Sequence, residues 1–181
     1  MDYDVAVIGG GIQGAGVAQA AAAAGYTVVI FEQTAIAAGT SCKSSKLIHG
    51  GFRYLESGQF KLVRKTLLEG ELLIKLAPSL VSPIPFYLPI YTQTTRRSWQ
   101  IAVGLFVYQG LGGFKKYTRF KRLNINKTQP IKAIRKTNLK TMYQYYDAQT
   151  DDSLLTHAVI RSAESLGAKL KCPVKVTSLD F

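Results

Sequence analysis

The chain has 181 residues, of which 47% are hydrophobic, and this composition suits a folded globular protein and excludes a disordered chain. It carries 23 Lys and Arg against 11 Asp and Glu, which gives a net charge of +12. Its two cysteines, Cys42 and Cys172, lie far apart with no histidine or further cysteine at ligand spacing, so we expect neither a disulfide scaffold nor a metal site.

The N-terminal residues predict a strand, a helix and a second strand. Asp4–Ile8 is a short apolar run that ends at three glycines, and Ile12–Ala24 is rich in alanine, which favours a helix. Thr27–Phe31 reads as a second buried strand that ends at Glu32. A strand, helix and strand in this order predict a βαβ unit with parallel strands.

A glycine motif joins the first strand to the helix. Gly9, Gly11 and Gly14 stand in the G-x-G-x-x-G register. The first glycine permits a tight turn, the second lets the backbone approach a pyrophosphate, and the third allows close helix packing. At the end of the next strand, Glu32 can accept hydrogen bonds from an adenosine ribose, and its charge disfavours a 2′-phosphate. The motif predicts a dinucleotide site, for FAD or NAD.

Further elements follow along the chain. Gln59–Ala77 has apolar residues at helical spacing and predicts an amphipathic helix that Pro78 ends. Four prolines from Pro78 to Pro89 mark a change of direction, with "FYLPIY" as an edge strand. Arg96–Leu111 and Ser153–Leu166 predict helices, and "GAKLKCPVKVTSL" predicts two short strands or a hairpin.

The middle of the chain is strongly basic. Leu72–Tyr146 contains no Asp or Glu and holds 13 of the 23 Lys and Arg residues. Such a field favours an anionic partner, which can be a phosphorylated small molecule, an anionic lipid surface or a nucleic acid, and a solvated basic surface has the same composition. Within this block, the apolar and aromatic segment Trp99–Phe114 has basic flanks and predicts an interfacial element that favours anionic lipid.

The N-terminus carries two acids and no basic residue ahead of its apolar run, unlike a secretory signal, so we expect a cytoplasmic chain. No run of about 18 uninterrupted apolar residues occurs, and we expect no spanning helix.

The stretch "SSKLIHGGFRYL", Ser44–Leu55, crowds polar groups around a Gly-Gly step and predicts a loop shaped around a ligand. With its lead-in, "GTSCKSSKLIHGGFRYLESGQFKLV" resembles the flavin-contacting segment of the FAD-dependent glycerol-3-phosphate dehydrogenases, the quinone-reducing enzymes of aerobic glycerol metabolism. "LAPSLVSPIPFYLP", "WQIAVGLFVYQGL" and "YYDAQTDDSLL" resemble further landmarks of that family in the same order. The resemblance therefore covers essentially the whole chain.

This resemblance implies a fold, a cofactor and a reaction. The fold is α/β, a Rossmann-like FAD-binding fold of the glutathione-reductase/D-amino-acid-oxidase type. Its FAD-binding core is expected over 1–76, part of a substrate domain over 77–141, and a return to the core over 142–181. The implied reaction oxidises sn-glycerol 3-phosphate to dihydroxyacetone phosphate with FAD and passes electrons to quinone. The family also implies peripheral association with the inner face of the cytoplasmic membrane, and allows a homodimer of the full-length enzyme.

The resemblance also assigns site residues, although it assigns no catalytic residue. The resemblance implies that Arg53 and Tyr54 face the substrate. The chemistry is consistent with this, because a fixed guanidinium suits a phosphate bidentately while the flavin accepts the hydride. The residues implied to bind FAD are those of the glycine turn, the ribose-binding acid with its neighbour, and the flavin-side loop: Gly9, Gly10, Gly11, Ile12, Gly14, Glu32, Gln33, Thr40, Ser41, Ser44, Ser45, Lys46, His49 and Gly50.

The chain departs from the family pattern in three ways. Gln109 and Leu154 stand where the family tends to carry Asp and Arg. Phe181 precedes the family's second glycine-rich segment, the rest of its substrate pocket and its C-terminal domain. We therefore expect the N-terminal part of such an enzyme, which by itself is inactive and holds FAD weakly or not at all.

Other functions stay open on the residues alone. Another FAD-dependent oxidase of the same fold would act on amino acids or amines, and a truncated remnant or a basic binding module would not be catalytic. Nucleic-acid binding is not expected, although Phe114, Tyr117 and Phe120 interleave with lysines and arginines.

Overall fold

A computed structural model describes residues 2–124 and 134–179 of the chain. The chain divides into two compact units, the first formed by Met1–Lys46 with Thr150–Phe181 and the second by Leu47–Gln149. The expected division also has a core interrupted by an insertion, but its boundaries at 76 and 141 differ from those of the units. Residues 47–76 group with the second unit because Leu47 and Ile48 pair with Gln149 and Ala148, and because Val63 lies in the core of that unit.

The elements alternate between strands and helices along the chain. Short 3-10 helices also occur at Thr40–Cys42, Phe52–Leu55 and Lys116–Thr118. In chain order, the strands and α-helices of the described residues are β1 (Val5–Ile8), α1 (Ile12–Ala23), β2 (Val28–Phe31), β3 (Leu47–Ile48), α2 (Phe60–Leu76), β4 (Val81–Tyr91), α3 (Ser98–Leu111), β5 (Lys121–Leu123), β6 (Leu139–Thr150), α4 (Asp152–Ser165) and β7 (Lys169–Lys171).

The first unit contains a parallel sheet in the order β1-β2-β7, which confirms the predicted βαβ unit. Its core joins β1 and β2 to one face each of α1 and α4. Ala15 and Ala18 of α1 are fully buried, as is Ile160 of α4. Small alanine side chains let α1 approach the sheet and α4 closely, which explains the alanine-rich run.

The second unit contains a sheet in the order β3-β6-β4, with β5 paired to β6. Its core includes Val63 from α2, Leu105 and Tyr108 from α3, and Tyr143 and Tyr145 from β6. Strand β4 carries three prolines and lies at the end of this strand order, as expected for residues that cannot donate a ladder hydrogen bond.

Two expectations for the strands were incomplete or wrong. In the C-terminal stretch only β7 forms, and within residues 172–179 no second strand follows it. Strand β6 was not predicted. Its residues are buried along most of their length on both faces, so no alternation of apolar and polar residues marks it.

Candidate functional site

The glycine motif forms a tight turn at the carboxyl end of β1. Gly9 has φ of 110°, in the region that favours glycine, and its N–H donates to the carbonyl of Phe31 at 2.8 Å. A Cβ on Gly14 would overlap the carbonyl oxygen of Gly9. The turn therefore brings the start of α1 against its own backbone, as the motif predicts, and α1 begins directly after it at Ile12.

Glu32 closes this turn from the end of β2. One carboxylate oxygen accepts from the Gly10 N–H at 2.7 Å, and the other accepts from the backbone N–H and the hydroxyl of Thr34 at 2.8 and 3.0 Å. The hydrogen bonds from the Thr34 and Gly10 backbones lower the pKa of Glu32. Glu32 is therefore charged at neutral pH, and its neighbour Gln33 is exposed. The contact of Glu32 with a ribose stays a prediction.

The segment 37–46, which follows β2, reaches the glycine turn and the N-terminus of α1. The Ile12 N–H donates to Ser41 Oγ at 2.9 Å, and the Ala37 N–H donates to the carbonyl of Gly10 at 3.1 Å. Thr40 and Ser45 of the same loop are exposed. Of the predicted residues, Glu32 and Ser41 thus contact the glycine turn and the N-terminus of α1, a helix terminus that can bind an anion.

Asp152, the first residue of α4, was not predicted as a site residue. Its carboxylate accepts from Lys46 Nζ at 2.6 Å and from the Ser44 N–H at 2.9 Å. The hydrogen bond from Lys46, followed by those from Ser44, holds the pKa of Asp152 far below its usual range. The available signal was the pair of acids in "YYDAQTDDSLL", which lies more than a hundred residues from its partners.

The second unit contains an open cleft with a volume of about 830 Å³. The predicted residues His49, Arg53 and Tyr54 line it, together with Gly51, which has φ of 70°. Arg96 also lines the cleft, and it forms an ion pair with Glu56 at 3.2 Å. No ion pair to Arg53 occurs within residues 2–124 and 134–179, so its guanidinium is available to an anionic ligand.

Asp147 was also missed, and it forms part of the cleft wall. Its Oδ1 accepts from the Tyr108 hydroxyl at 2.6 Å and from the Gly50 N–H at 3.2 Å. Burial raises the pKa of Asp147, although the hydrogen bonds from Tyr108 and Gly50 oppose this. A Cβ on Gly50 would overlap the Tyr108 hydroxyl and Leu67, so the predicted Gly50 is required by packing within this unit.

The part of the chain that the structure describes contains neither a metal centre nor a membrane-spanning helix. There, no group of three or more His, Cys, Asp or Glu side chains is arranged to hold a metal ion. None of the described helices is long and apolar enough to cross a membrane.

A parallel βαβ unit with a glycine turn and a charged glutamate at the end of the second strand defines a dinucleotide-binding α/β protein. Residues 4–181 match the family model described as DAO, FAD dependent oxidoreductase, and the chain belongs to that family. The expected FAD cofactor and Rossmann-like FAD-binding fold are thereby confirmed. The glycine motif alone left both FAD and NAD open as the cofactor, and the family match selects FAD.

The chain is also similar to individual proteins whose names are more specific than the family description. The chain is 42% identical over 184 residues to glycerol-3-phosphate dehydrogenase 2 of Mycobacterium tuberculosis, covering 98% of this chain and 30% of the relative. It is 40% identical to D-erythritol 1-phosphate dehydrogenase of Brucella abortus, covering 97% and 34%. The structure of a glycerol-3-phosphate dehydrogenase from Bacillus halodurans complexed with FAD matches with a TM-score of 0.66 at 27% identity, covering 99% and 28%. The chain thus spans about a third of the length of these relatives.

Proposed function

We propose that this chain forms the N-terminal part of an FAD-dependent dehydrogenase. The complete protein would oxidise the C2 hydroxyl of sn-glycerol 3-phosphate to dihydroxyacetone phosphate and pass the electrons to a quinone. The observation that carries this proposal is the 42% identity to a glycerol-3-phosphate dehydrogenase over 98% of the chain. The cleft that contains Arg53 and Tyr54 supports a phosphorylated substrate.

The residues of the first unit fit FAD. Gly11 carries no side chain where a pyrophosphate would approach, and a Cβ there would lie 3.0 Å from Ser41 Oγ. The N-terminus of α1 would attract the two phosphates electrostatically, and Glu32 would accept hydrogen bonds from ribose hydroxyls. When bound, the flavin would supply the hydride acceptor that no side chain can provide.

Within the second unit, Arg53 would bind the substrate phosphate. Its planar guanidinium can donate two parallel hydrogen bonds to a phosphate dianion, and a lysine cannot reproduce that geometry. Tyr54 lines the same cleft and would hydrogen-bond the polyol hydroxyls, while His49, which the resemblance assigns to FAD, also lines it. A longer polyol phosphate is a second candidate, because the Brucella abortus relative is named for D-erythritol 1-phosphate and is 40% identical.

The complete protein would reach its quinone at a membrane surface, on the inner face of the cytoplasmic membrane. Helix α3 supports this, because Trp99, Val103 and Phe106 are 61%, 54% and 59% exposed, and they recur at helical spacing. Phe106 also contacts Phe114, with ring centroids 5.8 Å apart. An exposed apolar face within a strongly basic unit is typical of an interfacial element on anionic lipid.

Substitution of Arg53 tests the substrate assignment. In the complete protein that carries this segment, Arg53→Ala should lower kcat/KM for glycerol 3-phosphate by about 100-fold, because a charge-assisted bidentate contact is lost. Oxidation of unphosphorylated glycerol should change less than threefold, and Arg53→Lys should not restore the phosphate preference. Arg64→Ala, at an exposed arginine of α2, is the matched control. An equal loss for both substrates would contradict the role of Arg53 as phosphate ligand.

D-Erythritol 1-phosphate separates the two candidate substrates in the same assay. If the complete wild-type protein favours it over glycerol 3-phosphate, the substrate is the longer polyol phosphate, and the Arg53 variant should then reduce the activity on both phosphates alike.

A further inference from the structure

The buried carboxylate of Asp152 is surrounded by donors from a distant loop. Asp152 is only 8% exposed. Asp152 Oδ1 accepts hydrogen bonds from the Lys46 ammonium at 2.6 Å and from the Ser153 N–H at 3.0 Å. Oδ2 accepts a hydrogen bond from the Ser44 N–H at 2.9 Å. Lys46 lies 106 residues earlier in the sequence. Each oxygen of one side chain therefore holds a different residue of the loop 40–46.

The same loop is fixed at further points within the first unit. At one end, Ser41 Oγ accepts the Ile12 N–H at 2.9 Å, next to the glycine turn. At the other end, the carbonyl of Lys46 accepts the Thr150 N–H at 2.9 Å, and the Lys46 N–H donates to Ser44 Oγ at 3.0 Å. Lys46 has φ of 58°, a left-handed conformation that costs a residue with a Cβ about 1 kcal/mol and needs support from its surroundings.

We propose that Asp152 is a positioning residue for the cofactor. It fixes Ser44 and Lys46 in the loop whose Ser41 contacts the start of α1, so that the flavin half of FAD meets an ordered loop. Lys46 then acts by holding this carboxylate, and its ammonium is not a free cation directed at the cofactor. The inference rests on the proposed function, because FAD binding gives the ordered loop its purpose.

A carboxylate is required at this position for a geometric reason. The Lys46 ammonium and the Ser44 N–H are both donors, and they approach different oxygens of Asp152. Asparagine has the same shape but offers one acceptor oxygen and one NH₂ group, which is a donor. Asp152→Asn must therefore turn a donor toward another donor, and one of the two contacts to the loop is lost.

Neighbouring Asp151 provides a matched control. It is exposed, lies 4.0 Å from Lys46 Nζ, and caps α4 by accepting the Leu154 N–H at 2.9 Å. Asp151→Asn removes the same charge one residue away, and asparagine is an equally good N-cap. The two variants thus differ in the contacts to the loop and agree in their change of net charge.

The test measures affinity for FAD and for ADP with the wild-type chain and both variants, by titration calorimetry at high protein concentration. ADP reports the glycine turn and Glu32 alone, whereas FAD also reports the loop. Asp152→Asn should weaken FAD binding by about tenfold and change ADP binding less than twofold, and Asp151→Asn should change neither.

A purely structural role of Asp152 would weaken the binding of FAD and of ADP alike, and that result would overturn the inference. Unchanged FAD affinity in Asp152→Asn would also overturn it. A wild-type chain that bound ADP no less tightly than FAD would overturn it as well.

Amide hydrogen exchange decides the case in which the wild-type chain binds neither nucleotide, a result that agrees with the expectation that this part of the enzyme holds FAD weakly or not at all by itself. Peptides that cover residues 43–47 should then exchange about tenfold faster in Asp152→Asn than in the wild type and in Asp151→Asn. Equal exchange in the three proteins would refute the positioning of the loop by Asp152.

Discussion

At the scale of single residues, the glycines at the start of α1 meet very different surroundings. A Cβ on Gly14 would overlap the Gly9 carbonyl oxygen and lie 3.2 Å from Val7 Cγ1. That carbonyl belongs to a turn already fixed by the hydrogen bond from the Gly9 N–H to Phe31, so it cannot move aside freely. Gly16 lies two residues further along the helix, and a Cβ there would meet nothing within 4 Å.

Alanine at these two positions should therefore have opposite effects. Gly14→Ala should lower the free energy of unfolding by about 1–3 kcal/mol, because the turn and α1 must separate to accommodate the methyl group. Gly16→Ala should raise it by about 0.5–1 kcal/mol, since alanine is the better helix former and the space is open. Urea unfolding of the two variants, followed by circular dichroism, measures both changes. Similar values for the two substitutions would contradict the close packing of the turn.

At the scale of elements, Glu71 connects α2 to the segment that follows α3. It is 7% exposed, forms an i,i+4 ion pair with Lys75 at 2.6 Å, and pairs through its other oxygen with Lys115. Hydrogen bonds from Lys115, then Lys75 and then Tyr117 lower the pKa of Glu71 from 4.5 to about 2. Because the folded state binds this proton more weakly than the unfolded state, the contribution to stability is complete above about pH 4.5 and is lost as the pH falls towards 2.

This cluster predicts a specific pH dependence of unfolding. Between pH 4.5 and about 2, the wild-type chain should lose about 1–2 kcal/mol that Glu71→Gln does not lose, a figure reduced from the full linkage value because both lysines are partly solvated. Glu69→Gln, at an exposed position of the same helix, is the control and should retain the wild-type slope. Urea titrations at several pH values give these slopes. Parallel slopes for wild type and Glu71→Gln would show that the ion pairs do not stabilise the fold.

The elements also show which features the sequence could predict. Helix α1 begins at Ile12 and α2 ends at Leu76, as predicted to within one residue, because a glycine turn and Pro78 are local signals. Strand β6 has no such signal, since burial on both faces removes the alternation by which a strand is recognised. Asp147 and Asp152 were missed for a related reason: their partners at Gly50 and Ser44 lie 97 and 108 residues away in the sequence.

At the scale of the whole molecule, the charge is divided very unequally between the two units. The second unit, Leu47–Gln149, holds 17 Lys and Arg against 4 Asp and Glu, a net charge of +13. The first unit holds 6 against 7, a net charge of −1. The apolar face of α3 belongs to the basic unit. Attraction to an anionic surface should therefore act on the second unit and fall as salt screens it.

Vesicle binding tests whether the basic second unit carries the attraction to anionic lipid. The chain should associate with vesicles of anionic phosphatidylglycerol and much more weakly with neutral phosphatidylcholine at low salt. Replacing three exposed basic residues of the second unit with glutamine, at Arg119, Lys121 and Lys140, should weaken association by about 100-fold, since each basic residue near the surface contributes about 1 kcal/mol. The matched control replaces three exposed lysines of the first unit, Lys169, Lys171 and Lys175, and should change association less than threefold. Equal binding to both lipids, or equal losses in the two triple variants, would contradict a membrane-facing role for the basic unit.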